Sequence, residues 1–306
     1  MHGALVITGP TASGKSGLSL EIARNIDAEI ISADSAQVYR GLDIGTAKPA
    51  RDLMTEVPHH LIDIRDPADP YSAANFRDDC LRLIADIHAK GKVPIIVGGS
   101  MLYLKALKDG LADLPEADLA TRKAIADEAA FDGWQKLHEE LQVIDPASAL
   151  RIKPTDTQRL QRAIEVFRLT GSSMTELHRQ STGPCPFPLL EIAILPPDRS
   201  VLHQAIADRF GAMLDAGFIE EVMALKANPL LHGDLPSIKA VGYRQVWSYL
   251  DGEIDKVTMT EAAIAATRQL AKRQFTWLRS WKDLICLEQP DIDKTLKILT
   301  SSTILA

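Results

Sequence analysis

Gly9-Pro10-Thr11-Ala12-Ser13-Gly14-Lys15-Ser16 is the stretch whose reading decides the fold. Its spacing is that of a phosphate-binding loop, G-x-x-x-x-G-K-S, and its flanks have the character such a loop needs. Ahead of it, Ala4-Leu5-Val6-Ile7-Thr8 reads as a buried strand; behind it, Gly17-Leu18-Ser19-Leu20-Glu21-Ile22-Ala23-Arg24 has helical periodicity. In a strand–loop–helix unit, backbone N–H groups wrap phosphate oxygens, the lysine adds a point charge and the serine hydroxyl ligates Mg²⁺. The plain alternative is a glycine-rich turn that only caps a helix. Gly9, Pro10, Thr11, Ala12, Ser13, Gly14, Lys15 and Ser16 are therefore the expected nucleotide- or diphosphate-binding residues, with Ser16 as metal ligand. Kinases, ATPases and GTPases share this cradle, so the loop alone does not name the chemistry.

Outward from the loop, strand and helix alternate. Residues 28–34 and 60–64 read as further strands, 71–90 as a long amphipathic helix, and 93–98 as another buried strand. That order predicts a parallel sheet with helices on both faces, and ligands beyond the carboxyl ends of its strands. The 9–16 loop, Asp34 and Gly98-Gly99-Ser100 all fall at those ends. The pattern changes near Leu111: residues 113–188 carry helical periodicities and then a Pro-rich linker, and the strand pattern resumes at 189–195. The expected fold is α/β, a P-loop NTPase-like parallel-sheet core (1–112 and 189–306) with a helical insertion domain (113–188).

Composition excludes several classes. The 306 residues are 46% hydrophobic and 25% charged, with no apolar stretch near the length of a membrane span and no signal-like N-terminus. Cys80, Cys185 and Cys286 are far apart and form no C-x-x-C pair, which suggests neither a disulfide framework nor a zinc site and points to a reducing cytoplasm. No extended apolar surface declares itself, so a monomer is expected. The net charge of −7 argues against non-specific coating of nucleic acid, yet residues 262–282 carry five basic side chains and no acid. Arg268, Lys272 and Arg279 share one helical face there, as on a helix laid along phosphates, although an ordinary solvated basic face gives the same pattern.

Asp34 opens the segment Asp34-Ser35-Ala36-Gln37-Val38-Tyr39-Arg40-Gly41-Leu42-Asp43-Ile44-Gly45-Thr46-Ala47-Lys48-Pro49. A carboxylate at this strand end can assist Mg²⁺ or take a proton from a nucleophile beside the phosphates; a plain turn or N-cap role is the alternative. The strand 93–98 ends in glycines where an NTPase usually places its metal-assisting aspartate, which weakens the ATPase reading and leaves Asp34 freer to act as a base.

With those segments, His59-His60-Leu61-Ile62-Asp63, Gly98-Gly99-Ser100-Met101-Leu102-Tyr103, residues 158–162, 239–244 and 268–277 complete a pattern. It resembles the bacterial tRNA dimethylallyltransferases along nearly the whole chain. The resemblance implies that the phosphate loop, with Mg²⁺, holds dimethylallyl diphosphate, that the insertion grips a tRNA anticodon stem-loop, and that Asp34 takes a proton from N6 of the adenine 3′ of the anticodon. It assigns catalysis to Asp34, Lys15 and Arg209; a surface arginine paired with Asp208 or Glu220 is the alternative for Arg209. It places tRNA contacts at Asp34, Ser35, Ala36 and Gln37, at Ser100 and Arg122, at Gln158, Arg159, Leu160, Gln161 and Arg162, and at Lys239, Ala240, Val241, Gly242, Tyr243 and Arg244. Ala36 and Ser100 depart from the commoner family residues, a larger side chain and Thr, and the zinc finger of eukaryotic relatives is missing. A nucleoside or nucleotide kinase, an enzyme that prenylates free AMP and a non-catalytic RNA-binding module remain as competing readings.

Overall fold

The structure is a computed structural model and describes residues 3–112, 114–179 and 182–302. It divides into two compact units, residues 1–108 with 185–306, and residues 109–184. Expectations at 113, 180 and 181 lie outside the described residues.

The first unit is built on six parallel strands: β1 Ala4–Thr8, β2 Ala28–Ala33, β3 His59–His60, β4 Val93–Gly98, β5 Leu189–Ile194 and β6 Ile285–Leu287, in the order β3-β2-β4-β1-β5-β6. The central strands are apolar because both faces are covered. Along β1, Ala4 and Val6 point into one core and Leu5 and Ile7 into the other; Ile96 is separated from Ile95 and Val97 on β4 in the same way. Helices α1 (Lys15–Asn25), α2 (Arg51–Glu56), α3 (Ala73–Ala89) and α4 (Met101–Asp109) follow the first four strands. Leu18 and Ile22 of α1 fill the second core, whereas Phe76, Cys80, Ile84 and Ile87 of α3 fill the first. Ser72 and Asn75 form a capping box that starts α3 two residues later than the periodicity predicts.

The strand expected over 60–64 is only the two residues His59 and His60. Leu61 and Asp63 take left-handed φ angles of 61° and 56°, which turn the chain off the sheet edge. The turn delivers Asp63 to the ammonium of Lys48 at 2.5 Å.

The second unit holds α5 (Leu119–Asp132), α6 (Trp134–Ile144), α7 (Pro146–Ala149), α8 (Thr157–Thr170) and α9 (Met174–Arg179) around its own core of Ile125, Leu137, Leu141, Leu160 and Ile164. Back in the first unit, α10 (Arg199–Asp215), α11 (Phe218–Lys226), α12 (Tyr243–Leu250), α13 (Lys256–Arg279) and α14 (Ile292–Ser301) complete the layers. Among the described residues no helix is long and apolar enough to cross a membrane.

Candidate active site

Register levels the strand ends that matter. Gly98, the last residue of β4, pairs with Thr8 at the end of β1 and with Ala33 at the end of β2. The 9–16 loop, Asp34 and Gly99-Ser100 therefore leave the sheet side by side.

The loop bends at Gly9, where φ is 151° and a Cβ would lie 2.7 Å from Ile194 O and 2.7 Å from Ser13 Oγ. Ala12 is held at φ 64°, a left-handed conformation that a non-glycine residue keeps only where its surroundings impose it. The bond from Leu18 N–H to Gly14 O, 3.2 Å, comes first in α1. The amides of Lys15, Ser16 and Gly17 thus open the helix with no intrahelical acceptor, at the positive end of its dipole. Beneath them, the hydroxyls of Thr8 and Ser13 are buried with no hydrogen-bond partner. Uncommitted amides, orphan hydroxyls and a dipole end together suit an anion with many acceptor oxygens.

Positive charge is already in place. Lys15 Nζ donates to Pro10 O at 3.2 Å. Burial pushes its pKa down to about 8, with Asp34 opposing that shift and Arg209 adding to it. Arg209 reaches from α10 to donate to Thr11 Oγ1 at 3.4 Å, and burial lowers its pKa while Asp34 holds it up. It faces the loop and not Asp208 or Glu220.

The Lys15 shift has a consequence for pH. An incoming diphosphate favours the charged ammonium, so above about pH 8 binding must take up a proton that Lys15 has lost. Diphosphate affinity should be level from about pH 7 to 8, then fall by up to about tenfold per unit until the pKa of the bound state is reached. Calorimetric titration of wild type and Lys15→Met across that range checks this. A flat wild-type profile, or the same decline in the variant, would remove Lys15 from the site.

Asp34 is shaped by its own turn. Its Oδ1 accepts from Ala36 N–H at 2.9 Å and, more weakly, from Gln37 N–H at 3.4 Å. Oδ2 makes no hydrogen bond among the described residues, so one oxygen orients the carboxylate and the other is uncommitted. Ser100 steadies the same turn: its Oγ accepts from Ser35 N–H at 2.9 Å and donates to Ser35 Oγ at 3.1 Å. Gln37 is committed inward, donating to Thr46 O at 3.2 Å and accepting from Ser32 Oγ at 2.9 Å. Both ends of its amide are thereby engaged, one by β2 and the other by the 34–49 loop.

Two residues that the sequence did not single out hold this architecture. Glu221 of α11 accepts from three successive amides, Asp43 at 3.0 Å, Ile44 at 2.7 Å and Gly45 at 3.2 Å, and from the Tyr243 hydroxyl at 2.6 Å. Burial and then the Glu221 charge push the Tyr243 pKa up, so the phenol stays a donor. Gln274 of α13 accepts from Thr11 N–H at 2.9 Å and donates to Gly99 O at 2.9 Å. The one sequence signal was an isolated polar side chain on an otherwise buried face, Gln274 between Ala271 and Leu278 and Glu221 between Phe218 and Val222.

The remaining expected contacts divide by orientation. Tyr243 and Leu160 are fully buried, so neither side chain can meet RNA, and Gly242 is buried as well. Ala240 and Val241 are half-buried, while Lys239 and Arg244 are exposed. In the second unit, Arg122 and Arg162 both bind the buried Glu165, at 2.9 Å and 2.7 Å, and Gln161 donates to Arg122 O at 2.9 Å. Burial, the largest influence on Glu165, raises its pKa, but the two arginines and the Asp118 amide together leave it lowered. Arg162→Ala would leave the buried Glu165 with only Arg122 and the Asp118 amide as partners, so its first effect would be on stability. Gln158 and Arg159 at the start of α8 are exposed, as are Arg268, Lys272 and Arg279 of α13.

Residues 37–281 match the IPP transferase family. The chain belongs to that family. It is 36% identical to the tRNA isopentenylpyrophosphate transferase of Bacillus halodurans over 98% of this chain and 94% of that one, with a TM-score of 0.70. To the tRNA delta(2)-isopentenylpyrophosphate transferase of Staphylococcus epidermidis it is 35% identical over 98% of each chain, with a TM-score of 0.69. A eukaryotic dimethylallyltransferase acting on tRNA is 26% identical over 98% of this chain and 78% of that one, with a TM-score of 0.79. Like these IPP transferases the chain is a prenyltransferase, with a P-loop NTPase-like core.

Among the described residues of this IPP transferase there is no group of three or more His, Cys, Asp or Glu that could form a protein-only metal site. The oxygen donors at the loop are the exposed Ser16 and, across the strand ends, Asp34. That sparse set fits Mg²⁺, which keeps most of its waters and takes the rest of its ligands from substrate phosphates.

Proposed function

We propose that the protein transfers a dimethylallyl group from dimethylallyl diphosphate to N6 of the adenosine 3′ of the anticodon in tRNA, releasing diphosphate. The observation that carries this reading is the convergence at one level of the sheet: an anion cradle after β1, a carboxylate with one uncommitted oxygen after β2, and no second acid after β4. P-loop kinases and ATPases usually place a metal-assisting aspartate where this chain has Gly98-Gly99 after β4, which weakens the kinase reading. The family match and the tRNA-modifying relatives support the choice of substrates.

In this reading C1 of the donor forms a bond to N6 as its bond to the diphosphate oxygen breaks, and the bonding pair leaves with the diphosphate. The helix amides, Lys15 and Arg209 stabilise the charge that gathers there. Ser16 would hold Mg²⁺, which when bound would supply further neutralisation of that charge. The adenine amino group is a poor nucleophile because its lone pair is delocalised into the ring. Asp34 Oδ2 takes the N6 proton as the C–N bond forms, which avoids a cationic amine. The base must leave its stack to reach this crevice, and the half-exposed 34–37 turn is where it would arrive. The free thiols Cys80, Cys185 and Cys286 support the cytoplasmic placement.

Incubation with labelled dimethylallyl diphosphate and bulk tRNA should give labelled dimethylallyladenosine and free diphosphate, with no turnover of ATP. Phosphate transfer from ATP without prenylation would establish a kinase, and equal prenylation of free AMP would establish a mononucleotide acceptor. Ser16→Ala should raise the Mg²⁺ concentration needed for half-maximal transfer; an unchanged metal titration removes Ser16 from that role.

A further inference from the structure

Helix α13 presents Met259, Ala263, Ala271 and Leu278 to the core, and Gln274 is buried among them. A buried amide costs stability unless all its polar atoms are paired, and both ends of Gln274 are paired with backbone of the site. Room has been made for it. At Gly99 a Cβ would lie 2.4 Å from Gln274 Nε2 and 3.2 Å from Gly9 O; at Gly98 it would lie 2.1 Å from Ala33 O. The glycine pair that replaces an acid after β4 is thus explained by close approach, at Gly99 by that of Gln274.

We propose that Gln274 is a positioning residue for the diphosphate: by holding the Pro10–Thr11 peptide it sets where Lys15 and Arg209 sit. The proposal rests on the reading of the 9–16 loop as the donor site. A planar trans peptide points its N–H and C=O in opposite directions. Here the N–H, on Thr11, is held by Gln274 at 2.9 Å. The C=O, on Pro10, accepts from Lys15 Nζ at 3.2 Å and from Ser13 N–H at 3.3 Å. Thr11 also carries the hydroxyl that Arg209 meets at 3.4 Å. One peptide plane therefore links α13 to both cations of the cradle. Gln274 fixes that plane against Gly99 O, the start of the segment whose next residue, Ser100, steadies the Asp34 turn. An amide is the group this position needs, because it accepts at one end and donates at the other.

Gln274→Met and Gln274→Glu in the full chain test this, read by calorimetric affinity for inorganic diphosphate and for dimethylallyl diphosphate, and by the KM for each transfer substrate. At neutral pH both variants should bind either diphosphate about tenfold to a hundredfold more weakly, with the KM for tRNA unchanged. A carboxylate accepts from Thr11 but has no proton for Gly99 O. Protonated, it imitates the amide, so at about pH 5 the Glu variant should regain affinity relative to wild type while the Met variant does not. Native affinity in both variants overturns the proposal, and so does a Glu deficit that is the same at both pH values. If the Met variant fails to fold, the two pH arms of the Glu variant still decide. Wild-type protein that binds diphosphate but transfers no prenyl group would overturn the proposed function alone.

Discussion

Asp34→Asn should hold dimethylallyl diphosphate with near-native affinity while transfer to tRNA falls by roughly 10²–10⁴-fold, the range expected for loss of a general base. Asparagine is the informative substitution because Asp34 has two roles in this structure. Its Oδ1 organises the turn by accepting from the Ala36 and Gln37 amides. An asparagine oxygen does the same, so the turn persists and only the capacity to take a proton is lost. Asp34→Ala would remove both and confound them.

The charge change gives a second signature. Asp34 holds up the pKa of Lys15. Without it, Lys15 loses its proton more easily, and the pH above which diphosphate affinity declines moves below about 8. Below that point affinity should not suffer, because a negative charge has been taken away from the neighbourhood of an anion. Single-turnover transfer measured with saturating donor isolates the chemical step. Near-native rates in the Asn variant would assign the proton to another group, and unchanged rates with a displaced pH profile would leave Asp34 a purely electrostatic neighbour of Lys15.

The sequence made some of this legible and hid the rest for physical reasons. Central strands of a parallel sheet are buried on both faces, so β1, β2, β4 and β5 stand out as apolar runs, and the loop after β1 is read from eight consecutive residues. The two-residue β3 has no such signature; its end is decided by left-handed turns at Leu61 and Asp63. The direction of polar side chains was less legible still. Gln37 and Ser100 look outward by type, but Thr46, Ser32 and Ser35 claim them. Tyr243 sits inside a segment expected to meet RNA, yet its hydroxyl belongs to Glu221. Glu221 and Gln274 satisfy backbone groups far away in the chain, and hydrogen bonds of that reach leave no local pattern in a sequence. What sequence does carry is the anomaly, a polar residue on a buried face, without its partner.

A chain in which residues 109–184 are replaced by a short Gly/Ser linker should fold, bind dimethylallyl diphosphate within about twofold of the native affinity, and lose tRNA transfer by more than about a hundredfold in kcat/KM. The excision is feasible because Lys108 O accepts from Cys185 N–H at 3.0 Å, so the two ends to be joined are already neighbours and a few residues close the gap. Folding should survive since each unit has its own core: Ile125, Leu141, Leu160 and Ile164 serve the removed unit alone, and both faces of the sheet are covered from residues 1–108 and 185–306. Donor binding should survive because the 9–16 loop, Arg209 and Gln274 all lie in the retained unit. What goes is the exposed Gln158 and Arg159 at the start of α8, with the helices that present them. A milder pair of variants separates their share. Arg159→Ala in one unit, and Arg268→Ala with Lys272→Ala in the other, should each lower the slope of log affinity for tRNA against log salt by somewhat under one for every phosphate left without its cation. Arg162 is the wrong residue for that experiment, since Glu165 depends on it. Full transfer activity in the excised chain would place the whole RNA site on the sheet-bearing unit, and the salt slope should then respond to Arg268 and Lys272 alone.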